Sequence, residues 1–412
     1  MKILIFLNGR KNPKIGGRCG YVANLFSGVE KAGLSGNFVL IENQPRKVLS
    51  ELLGEILSKF CWGSVRRKRI RRSWNIARLG FRRTILGHLS EEAKQTLSRY
   101  GSSENICLCN SVTEFELVRE YAERKALRFK LGLISHHPCA PHKEIFESFS
   151  NDYEKGFLTK EQTDAKKDAF LKIERDAFLH ADFLLFPSKE SMEPYFRTWE
   201  EFSSVIFGKK IIFAETGVAE KRCGEIERKQ LEQKYGLSPD AKFRVCYLGR
   251  HNEIKGYDIL IRAAGILRKT CPDIEFCIGG VPSGIVAPDF PQWRECGYVN
   301  PAELFSVSDL FVLPNRQTYF DLVLLEALAA GIPVLASDTG GNKSVARHSS
   351  GVRLFVGDET GVGLSDGILR LAETKSDERR ALGEANRRAY QKEYTEARFA
   401  QRIYEELRKA FL

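Results

Sequence analysis

Arg250 and Lys255 stand five residues apart, just beyond the apolar run Phe243–Leu248. In a loop that leaves a strand, both can aim at one anionic group. The guanidinium would act as a two-pronged donor and the ammonium as a point charge. Glu326 lies in Phe320–Ala330, a stretch with helical periodicity that places Leu322, Leu325 and Ala329 on one face. A carboxylate buried in such a helix is costly unless something pairs with it. A ribose diol would satisfy it with two hydroxyls. The start of the same helix offers unbonded N–H groups and the positive end of a dipole, which suit phosphate. Together these residues describe a nucleotide-diphosphate site. The plainer alternative is that Arg250 and Lys255 are surface charges.

Two further clusters sit where chemistry is common. His136 and His137 follow the apolar run Phe129–Ile134 and precede Pro138. A histidine at a strand's C-terminal end can hydrogen-bond a ligand rich in hydroxyls, although a purely structural pair fits the spacing too. Gly16 and Gly17 lie in a loop, Asn8–Gly20, between a first strand at Met1–Leu7 and a helix from about Tyr21 to Ala32. Such a loop lets a ligand approach the backbone, or is simply a tight turn. G-x-G-x-x-G is absent, which argues against a nicotinamide dinucleotide.

The elements that must position these residues alternate between strand and helix. Asp309–Leu313 reads as a buried strand, Pro314–Tyr319 as a polar loop, and Phe320–Ala330 as a helix stopped by Gly331-Ile332-Pro333. Val334–Ser337 is the next strand and Asp338–Gly341 a turn at its end. This β-loop-α-β unit belongs to a parallel sheet, whose ligands gather at the strands' C-terminal ends. Phe243–Leu248, Ile274–Ile278 and Glu295–Val299 add strands, and Gly256–Lys269 adds a helix. Asn300, Pro301 and Glu303 together signal a helix start. The first half repeats the alternation. Its strands are Phe38–Ile41, Asn105–Cys109, Phe129–Ile134, Phe183–Phe186 and Ile211–Ala214, with helices at Phe115–Lys125 and Asp164–His180 and a capping residue at Ser188. Gly363–Glu373 and Asp377–Ala397 are helical near the end. At 412 residues the chain exceeds one ordinary core. Composition turns to charged residues after Gly217-Val218, so a boundary is expected there. The fold class is α/β: two doubly wound domains, 1–218 and 219–392, facing each other across a cleft.

With 43% hydrophobic and 28% charged residues, the composition is that of a globular protein. The apolar run before Asn8 is too short for a leader or a membrane span, and reads as a strand. The ten cysteines include no C-x-x-C and are expected to be reduced core thiols. The net charge of +11 is local. Ten Lys and Arg fall between Ile56 and His88, with no acid among them, and account for all but one of those charges. Arg66, Arg67, Lys68, Arg69, Arg71 and Arg72 are the densest part. Ile70, Trp74, Ala77, Phe81 and Ile85 recur among the basic residues at helical spacing. A basic amphipathic helix carrying an aromatic reads as a membrane-surface or anionic-acceptor element, and otherwise as a helix with a solvated basic face. No nucleic-acid motif accompanies it.

Tyr247–Ala264 (YLGRHNEIKGYDILIRAA) and Thr318–Gly341 (TYFDLVLLEALAAGIPVLASDTGG) resemble the two signature blocks of family-four retaining glycosyltransferases of the GT-B fold. The similarity extends to the Gly16-Gly17 loop, the histidine after Ile134, the Ser188 region, the Thr216-Gly217-Val218 link and nearly all of the second half. It implies two Rossmann-like domains with a nucleotide-sugar in the cleft and a final helix, 393–412, packing back on the first domain. By that resemblance Arg250 and Lys255 hold the donor diphosphate, and Glu326 holds the ribose. Backbone near Tyr298 receives the base. Phe320, Asp321, Leu322 and Val323 present N–H groups to sugar and phosphate. His136 or His137 touches the donor sugar. Two positions depart from the family's pattern. Thr318 stands where a first glutamate is usual, and Asp321 replaces a small residue. Asp321 is expected to take over a hydroxyl contact.

The implied reaction is transfer with retention, in which the acceptor hydroxyl attacks on the face from which the diphosphate departs. This needs charge stabilisation on the leaving group. No Asp-x-Asp occurs in the chain, so no metal is expected and no cofactor beyond the nucleotide-sugar substrate. The expected partners are a nucleotide-sugar, a glycan or lipid-linked acceptor of lipopolysaccharide or capsule type, and an anionic membrane surface, without nucleic acid. The expected location is cytoplasmic and peripheral at the inner face of the membrane. A GT-B-like scaffold subunit without turnover is the alternative.

Overall fold

The structure, a computed structural model, describes residues 1–12, 17–45, 76, 80–221, 223–224 and 226–412. It divides into two compact units. The first comprises Met1–Phe186, Tyr195–Phe213 and Tyr404–Leu412, and the second Pro187–Pro194 and Ala214–Ile403.

The first unit is built on a six-stranded sheet in the order β2-β1-β3-β4-β5-β6. Its strands are β1 (Ile3–Asn8), β2 (Phe38–Asn43), β3 (Ile106–Cys109), β4 (Lys130–Leu133), β5 (Phe183–Phe186) and β6 (Lys210–Phe213). Every pairing is parallel. β1, β3 and β5 are apolar with almost no exposure, as expected where helices cover both faces of a sheet. The strand order reverses direction between β1 and β3, the place in such a sheet where ligands usually bind.

The second unit holds β7 (Phe243–His251), β8 (Ile274–Pro282), β9 (Trp293–Gly297), β10 (Leu310–Leu313), β11 (Val334–Ser337) and β12 (Val352–Phe355). Their order, β12-β11-β10-β7-β8-β9, is that of a Rossmann sheet, with its switch point between β7 and β10. Phe243, Val245 and Tyr247 of β7 pack with Tyr257, Leu260 and Ala264 of the helix Tyr257–Thr270, and with Leu310 and Val312 of β10. Arg250 and Lys255 thus follow the strand on one side of the switch point, and Thr318 to Glu326 follow the strand on the other.

Several boundaries differ from expectation, each for a local reason. Val218 lies inside the second unit, because its N–H donates to Tyr394 O (2.9 Å) and its carbonyl accepts from the Tyr390 hydroxyl (3.0 Å). The helix expected from Phe320 starts at Leu322. Asp321 is extended (φ −77°, ψ 119°), and the Phe320 ring is buried 6.4 Å from that of Tyr394. The expected helix Asp377–Ala397 is two helices, Ser376–Ala389 and Glu396–Phe411, separated by a π turn at Tyr390–Tyr394. Thr395 is extended there, and its hydroxyl accepts from Arg398 N (3.3 Å), which restarts the helix. The last residues of that helix belong to the first unit. There Phe411 lies 5.0 Å from Phe183, and Lys210 Nζ donates to Ala410 O (2.6 Å). Asp338–Gly341 is not only a turn, since Gly341 opens a helix to His348. β9 begins two residues earlier than expected, at Trp293, because that indole is anchored through Nε1 to Glu295 (2.7 Å).

Candidate donor site

The loop after β10 carries most of the candidate residues, and two glycines fix its path. Gly256 has φ +65°, and a Cβ placed there would lie 1.8 Å from Pro314 O. Gly340 has φ +46°, and a Cβ there would lie 2.0 Å from Thr318 O. A side chain at either position would push the loop away. Arg316 completes the clamp with a two-pronged pair to Asp258 (2.7 Å for both bonds), a bond to Glu253 O (2.7 Å) and an ion pair with Glu359. Asp258 is held below the usual carboxylate range, chiefly by its hydrogen bonds from Arg316.

Within this frame Lys255 meets Asp321, with Nζ 2.6 Å from Oδ1. The other carboxylate oxygen accepts from the Thr318 hydroxyl (3.1 Å) and from the Asn315 amide. Burial opposes the Asp321 charge. The Lys255 ammonium and these hydrogen bonds outweigh it and hold the carboxyl below its ordinary range. Three donors thus already engage the Asp321 carboxylate. It occupies the N-cap position of the helix Leu322–Ala330, yet its side chain makes no capping bond. The first turn is closed by Leu324 N to Asp321 O (3.2 Å), so the N–H groups of Leu322 and Val323 face out of the helix start. Phe320 precedes the helix.

Arg250 is exposed, at the far end of β7. The Tyr247 hydroxyl donates to its carbonyl (2.8 Å). Burial pushes the Tyr247 phenol up; Asp321 adds to this and Arg250 opposes it, so both charges lie close to one hydroxyl. Glu326 is one turn further along the helix. Its side chain is 13% exposed and is paired with Lys221 at 2.7 Å. Burial pushes the Glu326 carboxyl up, against the pull of Lys221. Tyr298, just beyond β9, is 83% exposed. The structure thus brings Lys255, Thr318 and Asp321 together at the switch point, beside the helix start that Leu322 and Val323 form and near Arg250.

In the first unit the switch point holds a second polar network. Glu114 is fully buried and accepts from Arg18 (2.9 Å), Asn8 N (2.8 Å) and Asn110 N (2.8 Å). Burial pushes its carboxyl up against the Arg18 charge. The Asn110 side chain bonds His136 Nε2 (2.9 Å). His136 has φ +61° and packs edge-on to Tyr21 at 4.5 Å. Its imidazole is pushed down to about 3, first by burial and then by Arg18, so it is neutral. His137 is instead tied to Glu144 through Nδ1 (2.9 Å). Gly17 begins the helix Gly17–Lys31, earlier than expected, and Gly16 lies outside the described residues.

Arg66, Arg67, Lys68, Arg69, Arg71, Arg72 and Trp74 also lie outside the described residues. Arg82 and Arg83, the last arginines of the basic run, are described. Arg82 bonds Glu116 (2.5 Å) and Glu120 (3.0 Å), and Arg83 lies 3.6 Å from Glu120. Among the described residues, no helix is long and apolar enough to cross a membrane.

Sequence reasoning passed over Lys221, Arg18, Asn110, Glu114 and Asn315. Glu114 carried the signal that singled out Glu326, a carboxylate inside an apolar helix just after a strand. Lys221 had none, being one charge in a charged linker.

Residues 242–374 match the family model described as glycosyl transferases group 1. A D-inositol 3-phosphate glycosyltransferase of Paenarthrobacter aurescens is 30% identical over 152 residues, which is 30% of this chain and 34% of that protein. One from an Arthrobacter species is 35% identical over 118 residues, 25% of this chain and 28% of that protein. The matched segments thus span about a third of those curated relatives. Similarity of fold extends over the whole chain. Sucrose-phosphate synthase from Thermosynechococcus elongatus superposes with a TM-score of 0.64 at 19% identity, covering 100% of this chain and 99% of that one. HepE from Anabaena, in complex with UDP and glucose, gives 0.61 at 15% identity, covering 99% and 100%. Residues 242–374 are thus similar to group 1 glycosyl transferases, and the chain as a whole shares the α/β fold of these solved structures.

Proposed function

We propose that this protein is a retaining glycosyltransferase, moving a sugar from a nucleotide-diphosphate sugar to a cell-surface glycan or lipid-linked acceptor of lipopolysaccharide or capsule type. The observation that carries the reading is the meeting of Lys255 with the start of the helix Leu322–Ala330 at a Rossmann switch point, with Glu326 one turn along. Arg250, Lys255 and the helix start would bear the diphosphate, and Glu326 the ribose hydroxyls. The names of the relatives support a glycosyl donor, and the UDP and glucose in HepE support a nucleotide-sugar. In the reaction the acceptor oxygen bonds to the anomeric carbon as the bond from that carbon to the diphosphate oxygen breaks. The acceptor proton passes to that departing oxygen. The developing negative charge is what the cations and the helix dipole stabilise. This chemistry needs no metal. Attachment to the inner face of a membrane, through the basic run, belongs to the same reading.

A second reading is a GT-B scaffold that has lost turnover, favoured by the engagement of Lys255 with Asp321. A thermal-shift screen against UDP, GDP, ADP and their sugar conjugates separates the two. A donor raises the melting temperature with concentration, and Glu326→Ala and Arg250→Ala abolish the rise. Absence of any shift overturns the transferase reading.

A further inference from the structure

The three cationic elements that could meet a diphosphate in the second unit are not equally available. Arg316, in the same loop, is fully engaged by Asp258 and Glu359 and is structural. Arg250 is exposed. Lys255 has its ammonium 2.6 Å from the Asp321 carboxylate, and both side chains are about five-sixths buried (17% and 16% exposed).

Asp321 is not a flexible surface partner that a ligand could brush aside. It sits at the N-cap of a helix, where a carboxylate ordinarily bonds the N–H groups of the first turn. Its side chain makes no such bond. It is turned instead to Lys255, to the Thr318 hydroxyl (3.1 Å) and to the Asn315 amide. Thr318 and Asn315 are 1% and 2% exposed and belong to the loop that Gly256 and Gly340 clamp. The backbone carbonyl of Asn315 is fixed in turn by the Ser337 hydroxyl (2.6 Å). Three donors from a rigid loop and its neighbour therefore hold one carboxylate in one place. That carboxylate is an anion already in position beside the lysine and the positive end of the helix.

We propose that Asp321 is a built-in counter-ion that occupies the anion-binding capacity of Lys255 and thereby lowers the affinity of the site for a nucleotide diphosphate. The inference rests on the proposed donor site. Asp321 acts through Lys255 and through its own charge, as an affinity-setting residue, and takes no part in bond making. A diphosphate that reaches Lys255 must share the ammonium with a carboxylate that cannot withdraw. The repulsion between the two anions is large, because the site is partly shielded from water. Binding is consequently weak and release of the nucleoside diphosphate fast.

The test is calorimetric titration of UDP, GDP and ADP into the full chain. The proteins are wild type, Asp321→Asn, Asp321→Gly, Lys255→Ala and the double variant Asp321→Asn with Lys255→Ala. The amide of Asp321→Asn removes the charge, keeps one acceptor oxygen for Lys255 and turns its NH2 toward the Thr318 hydroxyl, which can accept from it. Asp321→Gly guards against an amide that misfolds the loop, and melting curves report folding for each. For the nucleotide that binds, Asp321→Asn or Asp321→Gly is expected to tighten binding by about tenfold, with a steeper loss of affinity in salt. The gain is expected to vanish in the double variant, because it requires Lys255. Wild-type binding that the two Asp321 variants leave unchanged or weaken overturns the counter-ion and leaves the donor site standing. Failure of every protein, wild type included, to bind any of the three nucleotides overturns the donor site and this inference with it.

Discussion

The Lys221 ammonium lies 2.7 Å from the Glu326 carboxylate, and it comes from the charged linker that follows Val218. Burial raises the Glu326 carboxyl and Lys221 opposes the rise. The sign follows: a carboxyl raised in the folded state binds its proton more tightly there than when unfolded. Stability is therefore lost as pH rises through the folded value. Lys221→Met removes the opposing charge and should deepen that loss. Because Lys221 is 41% exposed, the expected cost near neutral pH is only about 1 kcal/mol. Urea midpoints at pH 5 and pH 7.5 check it. The deficit should be larger at the higher pH and absent when Glu326→Gln is combined with Lys221→Met. An equal deficit at both pH values would show that the lysine matters for something other than this carboxylate.

His136 gives a second pH signature, of opposite sense. Its imidazole is neutral in the fold, with its titration pushed down to about 3. The unfolded chain takes up the proton near pH 6.5, so stability is lost as pH falls below that value. One histidine contributes a slope of about 1.4 kcal/mol per pH unit. Between pH 6.5 and 5.5 few carboxylates titrate, so the slope of wild type minus that of His136→Gln isolates it. Identical slopes would mean that the buried ring admits a proton, contrary to its packing against Tyr21 and Asn110.

Gly340→Ala tests whether the loop after β10 must be held where it is. The added Cβ would meet Thr318 O at 2.0 Å on a backbone with φ +46°. Overlap with backbone and an unfavourable conformation together should cost about 2–4 kcal/mol. Thr318 should shift, and with it the hydroxyl that bonds Asp321. The variant is expected to melt earlier and to bind nucleotide with an affinity changed by more than its loss of stability accounts for. Wild-type affinity in a folded Gly340→Ala protein would show that the loop's path is irrelevant to the site.

In the proposed function, the absence of an Asp-x-Asp motif leaves charge neutralisation to Arg250, Lys255 and the helix start. Transfer from the identified donor should run at an unchanged rate after chelation with EDTA. A collapse that Mn²⁺ restores would place a metal in the reaction. Arg250→Ala should then retain more activity than the metal-free scheme allows, where the loss is at least about tenfold because a charged hydrogen bond to the leaving group is removed.

The alternation of apolar runs and periodic helices made both parallel sheets legible, and the β10-loop-helix-β11 unit almost to the residue. Strands buried on two faces read as continuous apolar stretches, and few other structures produce them. The pairing within the site was not legible. Lys255 and Asp321 are far apart in sequence and meet only because β7 and β10 are neighbours, a fact of strand order rather than of local pattern. Asp321 read as a residue that would face ligand hydroxyls, since nothing in the sequence said that Asn315 and Thr318 would turn toward it. The helix Gly341–His348 was missed because its two opening glycines, Gly340 and Gly341, look like a turn.

Within the basic run from Ile56 to His88, Arg82 and Arg83 have a structural role. Arg82 bonds Glu116, whose side chain is fully buried, and Arg83 faces Glu120, so these two serve the fold. Of the eight that remain, Arg66, Arg67, Lys68, Arg69, Arg71 and Arg72 are the densest and would carry the proposed membrane attachment, each worth about 1 kcal/mol beside anionic lipid. Changing these six to glutamine should abolish co-sedimentation with vesicles containing phosphatidylglycerol and leave the melting temperature nearly unchanged. Arg82→Gln should do the reverse, lowering the melting temperature by removing one of the two arginines, Arg82 and Arg119, that pair with the buried Glu116, while vesicle binding persists. Raising salt should weaken wild-type binding as the surface field is screened. If the sixfold variant binds vesicles as well as wild type does, the run is not the membrane element, and Trp74 with its apolar neighbours becomes a packing face instead.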